Sequence, residues 1–188
     1  MNKINYGLNH GDAIHYPKIT QNDIKQYVLE RFEEIKQSSS MDDMIKFHSS
    51  NKYLLMAHNQ EKLKILGNIV ANHKKRQVCD LLLDYEVNLK DTLNKTPTIK
   101  THINVLMHIF GFFGKFFNQN QKKRYLDLIK KYRENKISLA RILYLIEPMT
   151  YQINTTYLIS QTYFLLYTES VKTNFDEITA QIFTMKKD

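Results

Sequence analysis

The chain has one cysteine, Cys79, in 188 residues, so it can form neither an internal disulfide nor a cysteine cage for a metal. Tryptophan is absent, and five glycines and three prolines are too few for a fold rich in tight turns. No run of about 18 apolar residues occurs, which argues against a membrane-spanning helix. Residues 1–17 hold no apolar core of the secretory kind, and with the single thiol this points to a reducing cytoplasm. There is no His-Glu-x-x-His run, no pair of His at four-residue spacing, no Gly-rich phosphate loop and no Gly-x-Ser-x-Gly elbow. No metal, cofactor or catalytic nucleophile is therefore expected, and Cys79 reads as an inert core thiol.

What is present suits one soluble globular domain: 43% hydrophobic and 24% charged residues, in a chain long enough to bury a core without staples. Lys and Arg number 27 against 19 Asp and Glu, a formal charge of +8. The excess is uneven. Residues 1–40 balance at five of each sign, whereas 101–188 carry twelve basic and seven acidic side chains. The densest window holds Lys115, Lys122, Lys123, Arg124, Lys130, Lys131, Arg133, Lys136 and Arg141, opposed only by Asp127 and Glu134. Such a window points to a polyanionic partner.

The apolar spacing is helical throughout, and two-residue alternation is almost missing. Thr20 with Asp23 resembles a capping box opening a helix to about residue 36, with Ile24, Tyr27, Val28, Phe32 and Ile35 on its apolar side. Ser40 and Asn59 are placed to cap helices over 41–57 and 59–72. Further helices are expected over 75–94, 98–117, 119–135, 138–147 (ended or kinked at Pro148) and 155–167. The spacing predicts an all-α bundle of six to eight helices around a central apolar helix at about 98–117. Residues 1–40 read as a lead-in and helix, 41–168 as the main helical domain, and 169–188 as a polar tail.

Two polar clusters stand out. On the helix over 98–117, Asn104, His108, Gly111 and Lys115 fall within about 60° of one another with Thr101 beside them, while the remaining circumference is apolar apart from His102, about 160° from Asn104. A narrow polar stripe on such a helix is a solvent face, a satisfied core or a binding site, because an unpaired buried polar group costs about 1–3 kcal/mol. In the second cluster, on the helix over 41–57 and its end, His48 and Lys52 share one face and Asn51 and His58 another. A His–Lys pair can hold a phosphate, or can be part of an ordinary mixed surface. The basic helix is equally two-sided. Lys123–Asp127, Asp127–Lys131 and Lys130–Glu134 stand at the spacing of a solvated, internally paired face. Its Tyr125 and Tyr132 can pack in the core or stack on bases.

Four ordered strings carry a resemblance: Phe47-His48-Ser49-Ser50-Asn51-Lys52-Tyr53-Leu54-Leu55-Met56-Ala57-His58, then His102 through Phe113, then Tyr132-Arg133-Glu134-Asn135-Lys136-Ile137, then Gln161-Thr162-Tyr163. Together they resemble the YbgA-like family, a bacterial domain of unknown function, over residues 44–168. The chain departs from the family pattern at Asn51, at Met107, at one of the two Phe after Gly111 (Phe112 and Phe113), at Ser138 and at Leu166. The domain is often fused behind a cysteine-rich desulfidase that acts on thiouracil or on thiouridine in transfer RNA, and there it is thought to supply RNA binding. The resemblance thus implies RNA binding, and the present chain is expected to be the stand-alone form.

Residues and resemblance lead to one expectation. It is a cytoplasmic helical module for structured RNA such as tRNA, accessory to thiolated-nucleotide metabolism and without catalytic activity of its own. A pocket of His48, Lys52, His58, Asn104, His108 and Lys115 would take a phosphate or a nucleotide. A surface of Lys122, Lys123, Arg124, Lys130, Lys131, Arg133 and Lys136 would hold the RNA backbone. Two other readings stay open. One is a small enzyme using His48 or His108 as acid or base; the other is a docking partner of a desulfidase or repair enzyme.

Overall fold

The computed structural model describes residues 19–72, 74, 76–151 and 156–168. Among the described residues the chain is all-α, with eight helices and no strand. They are α1 (Gln21–Ser38), α2 (Met41–His58), α3 (Gln60–Ala71), α4 (Val78–Leu93), α5 (Ile99–Phe113), α6 (Gln119–Arg133), α7 (Leu139–Tyr151) and α8 (Thr156–Ile159). Residues 162–168 are helical again.

Local chemistry explains where most helices start. Thr20 and Asp23 close the capping box: Thr20 Oγ1 accepts from the Asp23 amide at 3.2 Å, and Asp23 Oδ2 accepts from the Thr20 amide at 2.7 Å. Ser40 caps α2 through the Asp43 amide, and Asn59 caps α3 through the amides of Glu61 and Lys62. Each such cap stabilises its helix by about 1 kcal/mol. A single residue, Asn59, separates α2 from α3, so it ends one helix and starts the next.

The helix with most neighbours is α2, not the apolar α5. It packs against α1, α3, α4 and α5, and Met44, Phe47, Tyr53, Leu54, Leu55, Met56 and Ala57 are buried. The reason is the distribution of its apolar side chains, which surround the helix and need partners on every side. Phe32 of α1, Phe47 of α2 and Tyr85 of α4 meet with ring centroids 5.2 to 6.2 Å apart, so α1 belongs to the same core. The main neighbours of α5 are α2 and α6. Val105, Leu106 and Ile109 of α5 are buried, and Tyr125 of α6 donates to the Leu106 carbonyl at 2.8 Å.

Three boundaries differ from the sequence expectation. First, α5 ends at Phe113, four residues early. Gly114 there packs so closely that an added Cβ would lie 2.9 Å from the Phe110 carbonyl oxygen, and the chain turns to bury Phe117. Phe110 is half-buried, and the Phe113 side chain lies outside the described residues. Second, α7 passes through Pro148 to Tyr151. Third, the last predicted helix is divided at Ser160 and Gln161. Gln161 is buried; its Nε2 donates to the Ser49 carbonyl at 2.8 Å and its Oε1 accepts from the Tyr53 amide. The side chain thus docks this segment onto α2. The expected tail, 169–188, and the lead-in, 1–18, lie outside the described residues.

Candidate ligand groove

The two polar clusters line one groove of about 880 Å³, with α2 as its floor and α3 and α5 as its walls. From α2 come His48, Lys52, Tyr53 and Met56; from α5 come Asn104, Met107, His108, Gly111 and Phe112. The convergence follows from packing. α5 lies along one flank of α2 and α3 along the other, and the polar stripe of α5 faces the space between them.

The α3 wall was not singled out in the sequence. Gln60, Leu63, Lys64, Gly67 and Asn68 line it, at spacings of three and four. This pattern is indistinguishable from a solvated helix face until a second helix stands opposite. One bridge crosses the groove, from Asn104 Nδ2 to Gln60 Oε1 at 3.1 Å.

His48 sits at the half-buried base. Its Nδ1 lies 3.0 Å from the Tyr85 hydroxyl, and its Nε2 is directed toward Gly67, where an added Cβ would come to 3.5 Å. Burial pushes the His48 pKa below the ordinary imidazole value, and the nearby Lys52 charge pushes it the same way. Burial raises the Tyr85 hydroxyl far above its usual range, so it stays protonated beside His48.

Two glycines widen the groove. Neither has a positive φ, and each costs its helix about 1 kcal/mol relative to Ala. At Gly111 an added Cβ would meet nothing within 4 Å, and at Gly67 it would meet only the His48 ring. Packing therefore does not demand glycine at either place. The lining contains no carboxylate, whereas Lys52, Lys64, His48 and His108 all belong to it. Met107 and Phe112 keep 42% and 38% of their surface exposed on the α5 wall. The arrangement can receive an anion beside a flat apolar group.

Two expected pocket residues stand elsewhere. His58 lies ten residues beyond His48, which turns it about 80° round α2 and carries it about 15 Å along. It is 2% exposed, its Nδ1 donates to the Lys95 carbonyl at 2.7 Å, and its Nε2 has no partner among the described residues. It neighbours buried His102, whose Nδ1 lies 2.8 Å from the Tyr163 hydroxyl. Lys115, past the end of α5, stacks over Phe116 at 4.9 Å and Phe112 at 5.8 Å, outside the lining. Cys79 is exposed, not core, because it projects off the apolar side of α4.

On the basic helix, Lys131 pairs with Asp127 at 2.9 Å, and Lys136 pairs with Glu134 at 2.6 Å. Both acids are held below the usual carboxylate range, mainly by these hydrogen bonds. Lys122, Lys123, Arg124, Lys130 and Arg133 form no ion pair among the described residues, and all but the half-buried Lys122 are exposed. Tyr125 and Tyr132 are buried, so they are core and not stacking platforms. This helix meets α5 and the turn after it through Phe110 and Phe117, which do not line the groove, so the two features are separate.

A second cleft, about 390 Å³, adjoins Arg31, Asn51 and Gln161. Arg31 is bound to Glu34 at 2.9 Å, and Asn51 donates to the Phe47 carbonyl at 2.9 Å. Among the described residues no three His, Cys, Asp or Glu side chains gather to hold a metal, and no helix is long and apolar enough to cross a membrane.

Residues 52–168 match the model of a family described as protein of unknown function DUF1722. The chain is similar to the uncharacterized protein YbgA of Escherichia coli K12, with 25% identity over 146 residues. That alignment covers 77% of this chain and 86% of YbgA. No solved structure matches the chain.

Proposed function

The chain belongs to this bacterial YbgA-like family, whose description assigns no activity, and we propose that it is a helical RNA-binding module. Its target is structured RNA such as tRNA, its setting is the cytoplasm, and its role is accessory to thiolated-nucleotide metabolism. One observation carries the reading: cationic and imidazole side chains from three helices line a single groove that contains no carboxylate. A polyanion with flat bases satisfies both the cations and the exposed parts of Phe112 and Met107. The basic face of α6 supports the same reading. Its ion pairs remove Lys131 and Lys136 from the surface proposed to hold the backbone, and Lys123, Arg124, Lys130 and Arg133 remain.

The test is tRNA retention by gel shift at 50 and 200 mM salt. Wild-type protein is expected to bind at low salt and to weaken steeply at the higher concentration, because each neutralised phosphate releases counterions. The variant Lys123→Glu, Lys130→Glu, Arg133→Glu is expected to lose most affinity while keeping its helical content and melting temperature, since exposed charges contribute little to stability. Absence of binding at low salt, or equal binding by the variant, overturns the reading. Docking to a partner protein then leads, and the exposed Leu83 and Val87, four apart on α4, are the surface to examine.

A further inference from the structure

We propose that the groove between α3 and α5 is a mononucleotide site, receiving one unpaired nucleoside monophosphate with its phosphate toward Lys52 and Lys64 and its base against Phe112. The inference rests on the RNA reading and deepens it by naming what enters the groove. The nucleotide can come from a single-stranded end or loop of an RNA, or from solution as the free monophosphate.

Three features of the lining select this ligand class. The first is charge: two lysines face no lining carboxylate, so an anion is favoured and a cation is not. The second is shape. The groove, about 880 Å³, is within the roughly 300–1000 Å³ range of small-ligand sites, and two helical glycines on opposite walls keep it wide where any larger side chain would narrow it. The third is chemistry. Inorganic phosphate needs only the cations, whereas this wall also presents the exposed part of the Phe112 ring, which Tyr157 and Lys115 contact elsewhere, and Asn68 brings an amide of the kind that pairs with a base edge. Lys115 stacks on the same Phe112 ring and adds positive charge at the rim. A duplex cannot place a paired base against this wall, so the site discriminates in favour of unpaired nucleotides.

The experiment titrates AMP, GMP, CMP and UMP into isotope-labelled protein, with adenosine, inorganic phosphate and an acidic peptide as comparison ligands. Backbone shifts at Gly67 and Gly111, and ring shifts at His48 and His108, are the expected signature. Adenosine is expected to bind at least tenfold more weakly than AMP, and Lys52→Glu with Lys64→Glu to weaken AMP at least tenfold. Gly111→Leu fills the groove from a position where its Cβ meets nothing, and is expected to abolish AMP binding without lowering the melting temperature. Shifts that map elsewhere, undiminished AMP binding by Gly111→Leu, or inorganic phosphate or peptide binding as tightly as AMP would overturn the proposal.

Failure of this inference is separable from failure of the RNA reading. A tRNA that binds wild type and Gly111→Leu equally, yet fails to bind the α6 reversal, removes the groove and keeps RNA binding. AMP bound in the groove by a protein that retains no tRNA at low salt keeps the mononucleotide site and removes the RNA reading.

Discussion

Acid should destabilise this protein well above the carboxylate range, and His102 should be a main reason. Its side chain lies in the core beside His58, Tyr163 and Tyr167, with Nδ1 on the Tyr163 hydroxyl. Burial, with a smaller effect from His58, lowers its pKa from the ordinary 6.5 to about 4. Between these values the unfolded chain holds the extra proton and the folded chain does not. Stability from this group is therefore complete above pH 6.5 and falls as the pH drops toward 4. Between pH 7 and pH 5 the loss is about 2 kcal/mol, and it approaches about 3 kcal/mol at lower pH. His58 and His48 are shifted in the same direction by burial and add to the slope. The lowered carboxylates, Glu86 among them, lose their contribution only from about 4.5 downward, so the drop between pH 7 and pH 5 belongs to the imidazoles. The assay is urea unfolding from pH 4.5 to 8, for wild type and His102→Gln. At a slope of about 2 kcal/mol per molar urea, the wild-type midpoint should drop by about 1 M between pH 7 and 5 from this residue alone. The variant should start less stable and lose correspondingly less. An identical pH dependence in the variant, or an imidazole resonance of His102 titrating above pH 6, refutes the reasoning.

Other outcomes follow from packing. Phe32→Ala, which removes a fully buried ring centred 5.2 Å from Tyr85, should cost about 3–5 kcal/mol in chemical unfolding; a loss below about 1 kcal/mol would contradict its core placement. Gly111→Ala and Gly114→Ala should have opposite signs in thermal melts. The first fills open space on a helix and should stabilise by about 0.5–1 kcal/mol, whereas the second drives a Cβ to 2.9 Å from the Phe110 carbonyl and should destabilise by about 1–3 kcal/mol. Gln161→Leu should cost about 1–3 kcal/mol and speed amide exchange at Tyr53, and unchanged exchange there would remove its role as the clamp on α2.

The local features of this protein were legible in its residues. The spacing of Ile24, Val28 and Phe32, and of Leu81, Leu82, Tyr85 and Leu89, selects the face each helix buries. Thr20, Ser40 and Asn59 mark helix starts because a cap acts within three residues of itself. His48 with Lys52, and Asn104 with His108, could be paired on their own helices for the same reason: neighbours at four-residue spacing share a face whatever the rest of the chain does.

Relations between helices were decided only by tertiary structure. Nothing within α3 distinguishes Gln60, Lys64 and Asn68 from a solvated stripe; they become a wall because α5 stands across α2 from them. His58 shares a motif with His48, yet rotation along α2 carries it into the core beside Lys95 and His102. Charge pairing on α6 depended on side-chain reach past the helix end, where Glu134 took Lys136 in place of Lys130. Helix formation depends on atoms a turn apart, which sequence order already brings together. A groove depends on which flanks the packed helices leave open, and that is settled only when the whole core closes.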